Sequence, residues 1–234
     1  METTKGPGTG QQASMPSSIP GSVALILREK AYELRIPRLF GDYELLSERP
    51  LSFGRDLSET VPETFLPPFN VLDSLVGLPL EVREELTEEE CQRVLGKFRA
   101  AQSVFQRLEM AHGLPWIREA RTDLGEATSR LLGLDPDYGE SRWLSLLAAT
   151  RALKAFLVSR GRRGFHTHQL IELAEEAENQ GLVQIPMAWV SAVQCEESIR
   201  EAGEHVILGE AVRAFDSAFR IVGHAVAGIR PVGE

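Results

Sequence analysis

The segment from residue 116 to residue 181 constrains the fold most, because it reads as three successive helices joined by short loops. Apolar residues recur there at steps of three and four, the spacing of a helix that buries one face. The middle helix carries its apolar side chains at Trp143, Leu146, Leu147, Leu153 and Leu157. It is expected to end at Arg160, with Gly161 as the left-handed residue that follows the cap. The pattern predicts an all-α, up-and-down helical bundle.

The sequence contains start signals for the middle helix and for helices before and after it. Thr87, followed three residues later by Glu90, has the form of a capping box and predicts a helix that runs to about residue 113. The pair Asp135-Pro136 predicts the start of the middle helix, and Thr167 that of the third.

Two further helices are predicted towards the C-terminus. Pro186 permits a helical start, and the apolar spacing after it predicts a helix to about Ala202-Gly203. A last helix is expected to carry Val206, Ala211, Val212, Phe215, Phe219 and Val222.

The chain divides into three parts by composition. Residues 1–21 are rich in Gly, Ser, Thr, Pro and Gln and are predicted to be a disordered tail. Residues 22–113 are predicted to be an extension of short elements that lies over the helical body and ends in a helix; within it, 32–36 alternates like a strand. Residues 114–230 are predicted to form the bundle.

Charge and cysteine content exclude several classes of protein. The formal net charge of −9 over 234 residues argues against coating nucleic acid through bulk attraction, although it leaves room for a local basic site. No run approaches the ~20 apolar residues of a membrane helix, and the N-terminus lacks the apolar core of a signal peptide. We therefore predict a cytoplasmic protein without membrane association. Cys91 and Cys195 lie far apart without histidines at metal spacing, so no disulfide, metal or cofactor is expected.

Several strings carry a resemblance to a known family, among them residues 116–120, 123–124, 148–157, 167–170 and a terminal stretch at 210–226. Residues 115 to about 227 resemble the HEPN domain, the helical module found beside nucleotidyltransferases. The resemblance implies a bundle of four or five helices that often forms a homodimer. Family members include ribonuclease toxins paired with nucleotidyltransferase antitoxins, defence components and catalytically silent scaffolds. The resemblance therefore implies a nucleotidyltransferase-type partner and contact with RNA or a nucleotide.

A basic loop is the best candidate for that contact. Arg160, Arg162 and Arg163 stand together after the middle helix, which also carries Arg151 and Lys154, and His166 and His168 flank the start of the next helix. Cations at a helix start, itself a weak anion site, suit a phosphate. The alternative is a solvated loop whose cations favour the helix C-terminus, with His168 as a buried residue that orients the loop. We favour a module of a prokaryotic toxin–antitoxin or defence system that binds nucleotide or RNA through this loop.

A competing hypothesis is a metal-independent endoribonuclease. The family's ribonucleases place a histidine four to six residues after an arginine, and Arg200 and His205 have that spacing at the junction of the last two helices. The arginine could stabilise charge on an attacked phosphate while the histidine moves a proton. Glu201 and Glu204 would repel phosphate, however, and ordinary surface residues at a helix end are the alternative interpretation.

A third hypothesis is a purely structural bundle that dimerises or docks another protein. The three tryptophans lie among apolar helical positions and are predicted to be core residues rather than base-stacking platforms.

Overall fold

The structure is a computed structural model that describes residues 21–49, 66–165, 169–200 and 206–229. The predicted N-terminal tail lies outside the described residues except for Gly21. Within the described ranges the chain is mostly helical, with a small antiparallel sheet near the N-terminal end. None of the described helices combines the length and the apolar character needed to cross a bilayer.

The sheet begins with a β-hairpin. β1 (Gly21–Leu27) pairs antiparallel with β2 (Lys30–Ile36) in a register that sets Leu27 opposite Lys30. The two turn residues, Arg28 and Glu29, have φ angles of 50° and 66°, the left-handed conformation that two-residue hairpin turns require. The Arg28 guanidinium donates to the carboxylates of Glu85 and Glu90 and to the Glu85 carbonyl, which ties the turn to the helical body.

Short strands complete this region. β3 (Glu44–Leu46) pairs in parallel with β4 (Pro68–Asn70), a 3-10 turn spans Val71–Ser74, and β5 (Leu75–Val76) joins the far edge of β2. The all-α prediction is therefore wrong here. The strand-like alternation of residues 32–36 is confirmed, but the hairpin turn lacks the glycine or asparagine that usually marks it in a sequence.

Two helices lead from the sheet into the bundle. After the short α1 (Leu80–Glu84), α2 (Glu88–Met110) opens with the predicted capping box: Thr87 Oγ1 accepts from the Glu90 amide, and the Glu90 carboxylate accepts from the Thr87 amide. This confirms the predicted start of α2.

α3 (Ile117–Leu132) and α4 (Tyr138–Ser159) form an antiparallel helical hairpin. The cap of α4 is Asp137 rather than the predicted Asp135, and its Oδ1 accepts from the Glu140 amide at 2.8 Å. The helix therefore starts at Tyr138, two residues after Pro136, because the Asp137 side chain caps the amide of Glu140 in the first turn.

The last helices are α5 (Leu170–Asn179), α6 (Met187–Val193) and α7 (Leu208–Gly228). α6 starts after Pro186 as predicted but ends well before residue 202, because Gln194 takes an extended conformation. The chain then makes a 3-10 turn at Glu197–Arg200, whose Ile199 carbonyl lies close against Gly139 of α4. A Cβ at residue 139 would stand 2.5 Å from that oxygen, so only glycine permits this approach.

One continuous core joins the sheet to the bundle. Leu34 of β2, Phe98 of α2, Phe156 of α4 and Phe215 of α7 all belong to it and are fully buried. α2 and α7 run side by side in the same direction, because Lys97 pairs with Asp216 and, seven residues on in both helices, Val104 contacts Gly223.

Candidate functional site

The basic loop begins where α4 ends, and its backbone is fixed by a C-terminal capping motif. Gly161 has a φ of 83°, its amide donates to the Val158 carbonyl at 2.9 Å, and the Arg162 amide donates to the Leu157 carbonyl at 3.1 Å. These are the paired hydrogen bonds of a Schellman motif, which satisfies the last carbonyls of the helix. The predicted role of Gly161 is confirmed. The same hydrogen bonds fix the backbone at Arg160 and Arg162, on either side of Gly161.

Two of the loop arginines are engaged by the chain itself. Arg160 donates through Nη2 to the Gly228 carbonyl at the end of α7 (3.1 Å), and its guanidinium lies 5.1 Å from the centre of the Phe156 ring. Arg162 pairs with Glu176 of α5 at 2.8 Å. Both side chains thus hold the loop against neighbouring helices.

Arg163 stands apart from these two. Its side chain is exposed, and it forms no ion pair with any carboxylate in the part of the chain that the structure describes. The loop then turns back to α3, where the Phe165 ring packs edge-on against Trp116 with the ring centres 5.5 Å apart. That contact holds the loop beside the first turn of α3, because Trp116 is the residue that precedes this helix.

A group of charged side chains, two of them buried, lies on the same half of the α3–α4 hairpin. Asp123 of α3 is buried and forms an ion pair with Arg151 of α4, whose side chain is one-third exposed. Lys154 lies one turn further along α4 and is only 7% exposed. We call Asp123, Arg151, Lys154, Arg160, Arg162 and Arg163 the loop-end cluster.

The burial of these groups changes their titration. Desolvation raises the pKa of Asp123 to about 6, against the opposing effect of the Arg151 charge. Desolvation, and secondly the charge of Arg151, lowers the pKa of Lys154 below its ordinary value. Thr150, one turn before Lys154 on the same face of α4, is buried, and its hydroxyl has no hydrogen-bond partner among the described residues.

Asp123 is the member of this cluster to which sequence reasoning gave no role. Its signal was available, since it occupies a position on the apolar stripe of α3 between the buried Ala120 and Ala127. A carboxylate on a buried stripe requires a partner. The predicted loop residues His166 and His168 lie outside the described residues.

The proposed ribonuclease pair is described only in part. Arg200 ends the second 3-10 turn, donates through Nε to Glu140 at 2.9 Å and lies 5.8 Å from the centre of the Trp143 ring. A second carboxylate, that of Glu197, is 3.9 Å from its Nη1. His205 lies outside the described residues, so the geometry of the pair stays a prediction.

The fold and the loop-end cluster define a mostly helical protein with charged side chains buried at one end of a helical hairpin. Comparison of the chain with protein-family models, curated proteins and solved structures found no significant match. Within the described ranges, no three His, Cys, Asp or Glu side chains come together in a way that could hold a metal ion.

Proposed function

We propose that the chain is a HEPN-like helical module that binds the phosphates of a nucleotide or RNA at the loop-end cluster. In this proposal it acts with a nucleotidyltransferase-type partner in a toxin–antitoxin or defence system. The fold class supports this proposal, since α3 and α4 are consecutive helices that contain residues 117–120 and 148–157 of the strings that carry the family resemblance.

The observation that carries the proposal is the placement of two cations, Arg151 and the buried Lys154, in the C-terminal half of α4, with the Asp123 carboxylate paired to Arg151. Removing charges from water costs several kcal/mol per ion, and an ordinary core avoids it. Buried ionisable groups with shifted pKa values are typical of functional sites.

The cations in this half of α4 suit an anion. Lys154 is buried, Arg151 is one-third exposed, and the exposed Arg163 adds a positive charge at the adjacent loop. The Thr150 hydroxyl can donate a hydrogen bond to a phosphate oxygen. A phosphate bound there would be held by charge and by hydrogen bonds together.

The test is equilibrium binding of a fluorescent ATP analogue to the full chain. Lys154→Met keeps the length of the side chain without its charge, so we expect at least tenfold weaker binding, and Arg163→Ala should weaken binding by a smaller factor. Arg99→Ala, an exposed arginine on α2, is the matched control and should bind like wild type. The proposal fails if wild type does not bind the analogue, or if Lys154→Met binds it as well as wild type does.

RNA incubated with the same samples also tests the ribonuclease hypothesis. Metal-independent cleavage that disappears in His205→Ala would favour the endoribonuclease. Intact RNA, or cleavage that survives this substitution, would exclude the pair Arg200 and His205 as its site.

A further inference from the structure

A second group of cations lies on a different face, along the line where α2 and α7 run side by side. Arg93 and Arg107 stand on α2, and Arg213 and Arg220 on α7; we call these four residues the arginine face. Residues three or four apart share one side of a helix. Arg93 is four residues before Lys97, which pairs with Asp216 across the helix contact.

The other three arginines follow the same rule. Arg107 is three residues after Val104, which contacts Gly223 of α7. Arg213 and Arg220 lie three residues before and four residues after Asp216. All four arginines therefore flank the line of contact between the two helices.

The side chains of these four arginines are exposed, and most of them form no ion pair with a carboxylate in the described part of the chain. Arg107, Arg213 and Arg220 form no ion pair with any described residue, and Arg93 has only an exposed contact with Glu89 at 3.6 Å. The nearest acid on α7, Asp216, is already paired with Lys97. The face is therefore positive within a protein whose net charge is −9.

An aromatic side chain stands at the edge of this face. Trp189 of α6 is half-buried and packs against the core, and the Arg220 guanidinium lies 5.4 Å from the centre of its ring. The His224 ring packs edge-on against the same tryptophan, with the ring centres 5.2 Å apart. Surfaces that hold single-stranded nucleic acid combine a row of cations with aromatic rings on which bases stack.

We infer that the arginine face binds single-stranded nucleic acid through its phosphate backbone. Arg93 and Arg107 are fourteen residues apart, so the row extends about 20 Å along α2. Arginine forms two parallel hydrogen bonds with a phosphate or with a carboxylate. The Trp189 ring beside Arg220 favours nucleic acid over an acidic peptide, because only nucleic acid has bases that stack on an aromatic ring. The negative charge of the remaining surface would repel a polyanion elsewhere and direct it to this face. The inference goes beyond the proposed function, since the two sites have no residue in common.

The experiment is fluorescence anisotropy with a labelled 15-nucleotide RNA, the matching DNA and polyglutamate, all against the full chain. Arg213→Ala/Arg220→Ala should weaken nucleic-acid binding at least tenfold. The slope of log K against log salt should become less steep by about 1.4, because each phosphate contact of a single strand contributes about 0.7. Arg99→Ala/Arg130→Ala removes two other exposed arginines and should change neither quantity by a comparable amount.

Three results would overturn the inference: absence of RNA and DNA binding by wild type, binding of polyglutamate alone, or equal loss in both double variants. A difference between RNA and DNA would identify which strand the face prefers. Failure of Lys154→Met to weaken nucleotide binding would refute the loop-end site and leave the arginine face untouched.

Discussion

The loop-end cluster and the arginine face both contain arginines, but they differ in whether those arginines bond to other parts of the chain. At the loop end, Arg151, Arg160 and Arg162 are each engaged by an acceptor from another helix. On the arginine face, Arg213 and Arg220 project from α7 without a described carboxylate partner. The loop-end arginines, which are close together in the sequence, therefore bond mainly to other parts of the chain. The arginines of the arginine face, which come from helices about 120 residues apart in the sequence, form an exposed positive surface.

The difference has a thermodynamic meaning. A charge that is paired in a partly buried site contributes to stability, and its removal leaves the partner uncompensated. A charge on an open surface contributes little to stability and acts mainly on approaching ligands. Substitutions of the paired loop-end charges should therefore lower stability, whereas substitutions on the arginine face should weaken binding and leave stability nearly unchanged.

The largest effect is expected for Arg151→Met, which leaves the buried Asp123 carboxylate without its counter-charge. We expect a loss of about 3 kcal/mol in the free energy of unfolding at pH 8, measured with urea. The loss should shrink at pH 5, where Asp123 is protonated. Arg118→Met, at an exposed position of α3, should cost under about 0.5 kcal/mol. A similar small cost for Arg151→Met would show that the ion pair does not support the fold.

The pH dependence of stability should report the same carboxylate. The pKa of Asp123 is about 6 in the fold, above the ordinary value of 3.8, so the folded state binds the proton more tightly than the unfolded state does. Through this group, stability should rise as pH falls from about 6 to 4, by up to about 1.4 kcal/mol per pH unit. Asp123→Asn should remove this contribution from thermal unfolding curves taken between pH 7 and pH 4. An unchanged pH profile would contradict the assignment.

A smaller effect is expected for Arg160→Ala. This change removes a charged hydrogen bond to the Gly228 carbonyl and the contact with the Phe156 ring. It also removes Nε, which is buried without a described partner, and this offsets part of the loss. We expect about 1 kcal/mol in urea unfolding. Arg163→Ala, on the same loop, is the control and should be neutral.

The smallest effects on stability are expected for Arg162→Ala and for Arg213→Ala/Arg220→Ala. The Arg162–Glu176 pair is exposed, and such pairs contribute about 0–1 kcal/mol. The arginine-face variant should leave the unfolding midpoint within about 1 °C of wild type while it weakens nucleic-acid binding. A marked loss of stability would mean that these arginines support the fold, and the two regions would then be alike.

Much of the helical part could be predicted because its signals are local. The capping box at Thr87 and the capping glycine at 161 depend on residues within one turn of the helix, and both are confirmed. The end of α6 was missed because the apolar spacing in the sequence continues to Ile199, whereas the backbone leaves the helical conformation at Gln194. The strand at residues 32–36 was predicted, but its pairing with β1 was missed because the hairpin turn uses Arg28 and Glu29, residues that rarely take the left-handed conformation.

The candidate sites divide in the same way. Lys154 and the loop arginines could be selected from sequence because they are close in the chain, but their partners could not. The arginine face depends on the packing of α2 against α7, which brings together residues from the extension and from the last helix. No local pattern encodes that juxtaposition.

The Arg28 turn has a kinetic consequence. Its guanidinium joins the hairpin to residues 57 and 62 positions further along the chain, whereas the hairpin and α2 are each local structures. Closing so long a loop costs conformational entropy, so we expect the contacts of Arg28 with Glu85 and Glu90 to form after the folding transition state. Their loss in Arg28→Ala should then accelerate unfolding and leave the rate of folding nearly unchanged. The turn would thus govern how long the sheet stays docked rather than how fast it forms.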